Sequence, residues 1–390
     1  KEIHLLAHHR GRLRDNQDYG AVYFIGRSVL KKIGGADAAL QYNTLYDLRL
    51  KISEKSELIH ISNRYAGSLY RVVATEKGHN VFDYLLAGME SQLEAEKVVS
   101  GHLQRIGAYL KPGSLYQRRP KTVPKAPLKA SVIIPVNNRP GFIGTAIESV
   151  LNQTIKEIEV IVVVNGGQQD PTINAVKAYM AGGRNYVTGR PEVRLIILDI
   201  NNIGLSLNSG IQAAGGEIYI QLDSDDRLKP QAVEKILEVF HSDPAIGIVI
   251  GSYEVWQLND ATGVTERVED IPVVTHDEWT EKNGRNNLLR INGAGAPRSI
   301  PITIIKEMGN FTVNDEPFAR NYGEDYDMVL KISEKYKVGR IREPVYDVVR
   351  HKGGTDHSID QITIDRNDEA KDYIRLQAVN RRIKINKTRK

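Results

Sequence analysis

The chain has 390 residues, of which 41% are apolar and 26% charged. That is the composition of folded globular protein and excludes a disordered chain. There is no cysteine, so disulfides and thiol nucleophiles are excluded, and any metal must sit on oxygen or imidazole ligands. The net charge of +5 invites a nucleic-acid reading, but the excess is local. Residues 381–390 hold six basic residues and no acid, residues 116–130 hold five and no acid, and the rest of the chain is net acidic.

The length points to two units. No apolar run approaches the ~18 residues that cross a bilayer, and no signal peptide is read. The chain begins with Lys1 rather than Met, which points to further sequence upstream. An internal repeat comes first. Tyr46–Lys55 (YDLRLKISEK) and Tyr326–Lys335 (YDMVLKISEK) agree at eight of ten positions. Lys32-Ile33-Gly34 parallels Glu307-Met308-Gly309 upstream, and Tyr70 parallels Tyr346 downstream. Residues 1–80 therefore read as a partial α/β repeat unit without a nucleotide-binding half.

Residues 81–112 read as a helical segment, because Val99, Leu103, Ile106 and Leu110 recur at 4-3-4 spacing. Residues 113–129, rich in proline and cations, read as an extended linker. From residue 130 to about 375, apolar runs alternate with helical patterns. Strands are expected at Ser131–Val136, Glu159–Val164, Arg194–Asp199 and Glu217–Leu222, with helices over Gly141–Leu151, Pro171–Met180 and Gly204–Ala214. That alternation predicts an α/β domain with a mostly parallel sheet and helices on both faces. Ligands of such sheets bind at the carboxyl ends of the strands. Residues 376–390 read as a basic tail.

Asp223, Asp225 and Asp226 follow the fourth of these strands. Three carboxylates in four residues repel one another unless a cation sits among them. Hard oxygen ligands suit Mg²⁺ or Mn²⁺, which bind one or two carboxylates plus substrate phosphates. The plainer reading is a solvated acidic turn, with Asp226 or Ser224 as a helix cap.

The stretch Ala130–Asp226 resembles the nucleotide-binding half of a family 2 glycosyltransferase of the GT-A fold. The matching pieces are SVIIPVNNRPGFIGTAIESVLNQT, EVIVVVNGG, NIGLSLNSGI and LDSDD, and the resemblance runs on to about His357. It implies an inverting, metal-dependent transferase that moves a sugar from a nucleotide-sugar donor to a carbohydrate or lipid-linked acceptor, in surface or envelope glycan synthesis. Pro135, Val136 and Asn138 would wall the base pocket. Asp223 would bind donor ribose, metal or both, and Asp225 would hold the Mn²⁺ or Mg²⁺ that bridges the diphosphate. His351 would join the metal shell. Asn165, Asn202 and Arg298 complete the expected donor contacts. Asp325 would be the general base, with Glu324 as neighbour or backup; the repeat has Thr44 and Leu45 in their place.

Three departures stand out. Val164-Asn165 replaces the acid that usually contacts a uracil ring, which leaves Asn165 as the substitute. NIGLSLNSG lacks the usual Arg, and no QxxRW motif is present, so a processive, membrane-embedded synthase is not expected. Trp279–Arg298 is rich in Asn, Arg and Gly, as sugar sites are, whereas His276, Asp277 and Glu278 read as loop residues. Two other functions compete. A nucleotidyltransferase would need a Gly-rich phosphate loop where Asn137–Gly141 stands. A degenerate transferase acting as a scaffold would lack the acids that Asp223, Asp225 and Asp325 supply. The expected placement is cytoplasmic, with no nucleic-acid partner. Peripheral contact with the inner membrane face is expected through the basic tail.

Overall fold

The computed structural model describes residues 5–61, 69–71, 88–113, 116–120, 126–259, 261–275, 284–291, 293, 295–314, 321–352 and 361–388. It contains two compact units. One comprises residues 1–112, 278–292 and 368–390, the other residues 113–277 and 293–367. These boundaries differ from the expected ones. The helical segment and the tail fall in the same unit as the repeat, and the linker residues fall with the α/β unit. The calls on His276, Asp277 and Glu278 lie outside the described residues.

In the first unit, α1 (Arg27–Ile33), α2 (Thr44–Lys55) and α3 (Met89–Arg105) are helices. No strand occurs among the unit's described residues, so the expected α/β character is not found there. The apolar spacing of α3 is explained by burial of Val99, Leu103 and Leu110, although the helix ends before Leu110.

The α/β unit carries the sheet. Strands β1 (Leu128–Val136), β2 (Ile158–Val164), β3 (Glu192–Ile197) and β4 (Gly216–Gln221) lie in the order β3-β2-β1-β4, all parallel. Val132, Ile134, Val160 and Val162 are fully buried, as uninterrupted β-branched runs require when helices cover both faces. Helices α4 (Ile143–Leu151), α5 (Thr172–Lys177) and α6 (Ile203–Ala213) provide the crossovers. The sheet then changes direction through β5 (Arg227–Leu228), β6 (Ile246–Leu258), β7 (Thr265–Arg267), β8 (Arg298–Pro301) and β9 (Lys337–Arg350). β8 is antiparallel to both β4 and β6, and β6 is parallel to β9. Between these strands lie α7 (Ala232–Ser242), α8 (Ile302–Glu307) and α9 (Glu324–Lys335).

The repeat is visible as structure. α2 and α9 each span twelve residues, and each carries an i,i+4 ion pair of 2.6 Å, Lys51–Asp47 and Lys331–Asp327. Gly34 and Gly309 both close the preceding helix with positive φ, 83° and 90°, a conformation that suits glycine. The two copies differ where α2 and α9 begin. Glu94 accepts hydrogen bonds from the backbone N–H of Gln41, Tyr42 and Asn43 at 2.8, 2.9 and 2.6 Å, so a carboxylate of α3 plugs the start of α2. At α9 the helix's own first residues, Glu324 and Asp325, are acidic.

Cations of the two basic segments are held in place. In the linker, the Arg119 guanidinium donates to the carbonyls of Phe240, Asp243 and Ile246 at 2.7–2.9 Å. It thereby satisfies orphan carbonyls at the end of α7. The basic tail is the end of α10 (Gln361–Thr388), a 28-residue helix. Arg382 is fully buried, and its guanidinium donates to the Arg285 carbonyl. Lys384 and Lys387 are exposed. The helix continues because nothing between residues 376 and 388 breaks it: no Gly or Pro occurs there. Among the described residues, no helix is long and apolar enough to cross a membrane.

The first unit is centred on charge. Asp372 is fully buried and pairs with Arg12 and Arg375 at 2.7 Å each. Gln17 donates to the same carboxylate, and Glu369 meets the other side of Arg12. Removing one partner from such a cluster strands the others away from water. Asp372→Ala is expected to lose about 3–5 kcal/mol, read as a lower midpoint in urea unfolding. An unchanged midpoint would show that the cluster contributes nothing.

Candidate active site

The parallel strands place their carboxyl ends along one edge, and the acidic turn sits there. Leu222 N–H donates to the Ile133 carbonyl (3.2 Å), which fixes the end of β4 beside β1. Asp223 N–H donates to the Tyr346 hydroxyl (3.1 Å). Tyr346 O–H donates in turn to Asp226 Oδ2 (2.9 Å), and Val349 N–H donates to Asp226 Oδ1 (2.8 Å). Asp226 is 6% exposed. Its oxygens are therefore committed to anchoring β9, and it is neither a helix cap nor a solvated acid. Burial raises its pKa well above the usual carboxylate range, and Asp223 and Asp225 add to the rise.

Asp225 points elsewhere. Its Oδ2 lies 2.9 Å from His351 Nε2. The His351 ring is stacked on Phe142 with centroids 4.2 Å apart, a packing that fixes its orientation. A carboxylate and an imidazole offered together suit a divalent cation that takes its remaining ligands from a diphosphate. Asp225 and His351 offer donor atoms of that kind. Among the described residues, no group of three or more His, Asp or Glu could hold a metal by itself, so Asp223 does not complete a set with them. Burial pushes Asp223 up to about 6, with Arg298 opposing the shift and Asp225 reinforcing it.

Register then explains how Asp325 is joined to this turn. Ile220 pairs with Ser299 across β4 and β8, which makes Gln221 and Arg298 cross-strand neighbours. Arg298 Nε lies 3.3 Å from Gln221 Oε1, and Gln221 Nε2 lies 3.4 Å from Asp223 Oδ1. On its other side, Arg298 pairs with Asp325 Oδ2 at 3.2 Å. Burial alone would lower the Arg298 pKa, but Asp325 and Asp223 outweigh it and raise it. Glu324 is 4% exposed, whereas the Asp325 side chain is 24% exposed. Of the two, Asp325 is therefore the one a substrate can reach.

The expected base pocket is assembled from backbone turns. Asn138 has φ of 49°, and its N–H donates to Asp170 Oδ2 (2.8 Å). Asp170 Oδ1 accepts from Thr172 N–H, also at 2.8 Å. Gly166 leaves room for that carboxylate, since a Cβ there would lie 2.2 Å from Asp170 Oδ2. Asn165 is 5% exposed. Its Oδ1 accepts from Asn137, and its Nδ2 donates to Ser206, so both ends of the amide bind the loops together. Asn202 caps α6 by accepting from Leu205 N–H, and it donates to the Asn314 carbonyl. Pro135 and Val136 close β1 beside Val163 and Val164. Asp170, Phe142 and Gln221 were not legible as site residues. Only Asp170 leaves a signal, as an acid before a proline at a helix start.

Asp223 yields a prediction with a defined sign. Its folded-state pKa is raised, so the stabilising contribution is present at low pH and is lost as pH rises through about 6. Asp223→Asn should therefore melt higher than wild type at pH 8, by an amount on the order of 1–2 kcal/mol. The difference should shrink towards pH 4.5. A gain independent of pH would place the cause elsewhere.

Residues 131–292 match the family model described as Glycosyl transferase family 2. A chondroitin synthase of Escherichia coli is 27% identical over 257 residues, covering 64% of this chain and 32% of that protein. A hyaluronan synthase of Pasteurella multocida is 29% identical over 226 residues, covering 58% and 21%. The chain thus spans a third or less of the length of these relatives. Among solved structures, S. aureus TarS 1–349 in complex with UDP-GlcNAc aligns with TM-score 0.45 and 17% identity, over 65% of this chain and 72% of that one. The mannosyltransferase PcManGT from Pyrobaculum calidifontis, in complex with GDP-Man and Mn²⁺, aligns with TM-score 0.44 and 14% identity, over 75% and 84%. With its ordered strand–helix alternation and an acidic turn at the end of β4, the stretch 131–292 belongs to glycosyl transferase family 2.

Proposed function

We propose that the α/β unit transfers a sugar from a nucleoside-diphosphate donor to a hydroxyl acceptor, with inversion at the anomeric carbon. One observation supports this above the others. The Asp225–His351 pair and the Asp223 and Asp325 carboxylates belong to one edge of the sheet, with Gln221 and Arg298 between Asp223 and Asp325. Donor activation and acceptor deprotonation need different carboxylates, and this edge supplies both.

In this reading Pro135, Val136 and Asn138 wall the base, and Asp170 holds Asn138 in its turn. Asp223 receives the donor ribose. Asp225 and His351 hold Mn²⁺ or Mg²⁺, which when bound supplies positive charge against the diphosphate left behind by sugar transfer. Asp325 takes the proton of the acceptor hydroxyl as that oxygen attacks the anomeric carbon from the side opposite the leaving diphosphate. A single base with in-line attack gives inversion. Buried Glu324 supports the start of α9.

The relatives named chondroitin synthase and hyaluronan synthase favour a polysaccharide setting, which fits surface or envelope glycan synthesis and a carbohydrate or lipid-linked acceptor. A cytoplasmic enzyme near the inner membrane face would suit such an acceptor. Within the described part of the basic tail, Arg382 is buried, and Lys384 and Lys387 are the cations left exposed for an anionic lipid surface. The first unit takes a non-catalytic role: Thr44 and Leu45 stand at its helix start, and Glu94 plugs that start.

The test is a thermal-shift screen of UDP-, GDP- and dTDP-sugars with and without Mn²⁺. A donor that binds only the folded state raises the melting point by mass action. Asp225→Ala is expected to remove the Mn²⁺-dependent part of the shift and to lower transfer by at least about 100-fold. Full transfer by that variant would overturn the metal assignment.

A further inference from the structure

Arg298, expected among the donor contacts, has a side chain that is 15% exposed, and its guanidinium meets groups of the protein on several sides. Nη1 donates to the Gly295 carbonyl at 2.6 Å and faces Asp325 Oδ2 at 3.2 Å, while Nε faces Gln221 Oε1 at 3.3 Å. Two neutral oxygens, one from the loop before β8 and one from β4, therefore hold the fork in place. Its charge falls on the Asp325 carboxylate. A guanidinium is planar and always charged, and it binds in a fixed geometry, so it orients whatever carboxylate it meets.

We propose that Arg298 is a positioning residue for the base. It fixes the Asp325 carboxylate with Oδ2 turned to the guanidinium. Oδ1, which accepts from Tyr326 N–H at 2.7 Å, completes the clamp. Through Gln221, the same guanidinium is coupled to Asp223 on the donor side, so Asp223 and Asp325, which serve the two substrates, are linked by one cation. The groups facing it are Asp325 and Glu324 from α9, Asp223 after β4, and Tyr219 within β4. No step of the transfer passes through Arg298. The proton moves from the acceptor hydroxyl to Asp325, and Arg298 keeps the receiving oxygen in line. This inference rests on the transferase reading for its role in catalysis, but the clamp itself does not.

The experiment has one arm for each part. In the first, urea unfolding is measured for wild type, Arg298→Gln, Asp325→Asn and the double variant. The clamp predicts non-additivity of at least about fivefold in the folding equilibrium constant. Additive effects would overturn the proposal whether or not the protein transfers sugar. In the second, UDP and GDP binding with Mn²⁺ is measured by calorimetry, and transfer is measured with whichever sugar nucleotide stabilises the protein. Arg298→Gln is expected to bind the nucleotide within about twofold of wild type. Its kcat should fall at least about tenfold at unchanged donor KM, with partial recovery in Arg298→Lys, which keeps the charge but loses the fork. Nucleotide binding weakened tenfold, with kcat preserved, would return Arg298 to the donor and overturn the proposal. A coupled pair in a wild-type protein that turns over no sugar nucleotide would support the clamp and count against the transferase reading alone.

Discussion

The organisation of the α/β unit depends on carboxylates gathered at the end of a parallel sheet with little positive charge of their own. Asp223, Asp225 and Asp226 follow β4, and Asp325 opens α9. Like charges this close raise one another's cost of ionisation. The fold relieves each one differently. Asp226 is buried against Tyr346 and the Val349 N–H, Asp225 meets His351, and Asp325 meets Arg298. Among the described residues, Asp223 feels the charge of the same arginine and makes a long contact with Gln221. The least relieved of the four is therefore Asp223, whose pKa burial raises.

The same distribution joins the two halves of one sheet. Its parallel half positions the turns around Asn138 and Asn165. Its antiparallel strand β8 brings Arg298 beside Gln221 and so links Asp223 to Asp325. β9 closes the arrangement, for it supplies Tyr346 and Val349 to hold Asp226 and leads into His351. The first unit shows the contrast. Its α2 matches α9 in length and in its internal ion pair, yet the turn leading into it is held by the Glu94 carboxylate. A carboxylate at that place is favoured by the helix dipole.

Much of this was legible in the sequence. The strand–helix order, the acidic turn, Asp325 at a helix start and His351 after a strand all leave local patterns, and the structure puts them on one edge. The division of labour among the acids was not legible. Asp226 and Asp225 are adjacent and chemically identical, and partners 120 or more residues away distinguish them. Asn165 read as a group that could contact a base, but its amide is used by Asn137 and Ser206. Arg119 read as part of an extended linker and Arg382 as part of a basic tail, because composition cannot reveal carbonyls that the fold brings to them.

The central claim is that Asp225 and His351 together form the protein's half of a metal site at this edge. The most direct measurement is pulsed electron paramagnetic resonance of Mn²⁺ bound in the presence of UDP. A single imidazole nitrogen coupling is predicted, lost in His351→Gln and absent with the metal itself in Asp225→Ala. A Mn²⁺ signal without nitrogen coupling in the wild type, or one unchanged in both variants, would contradict the account.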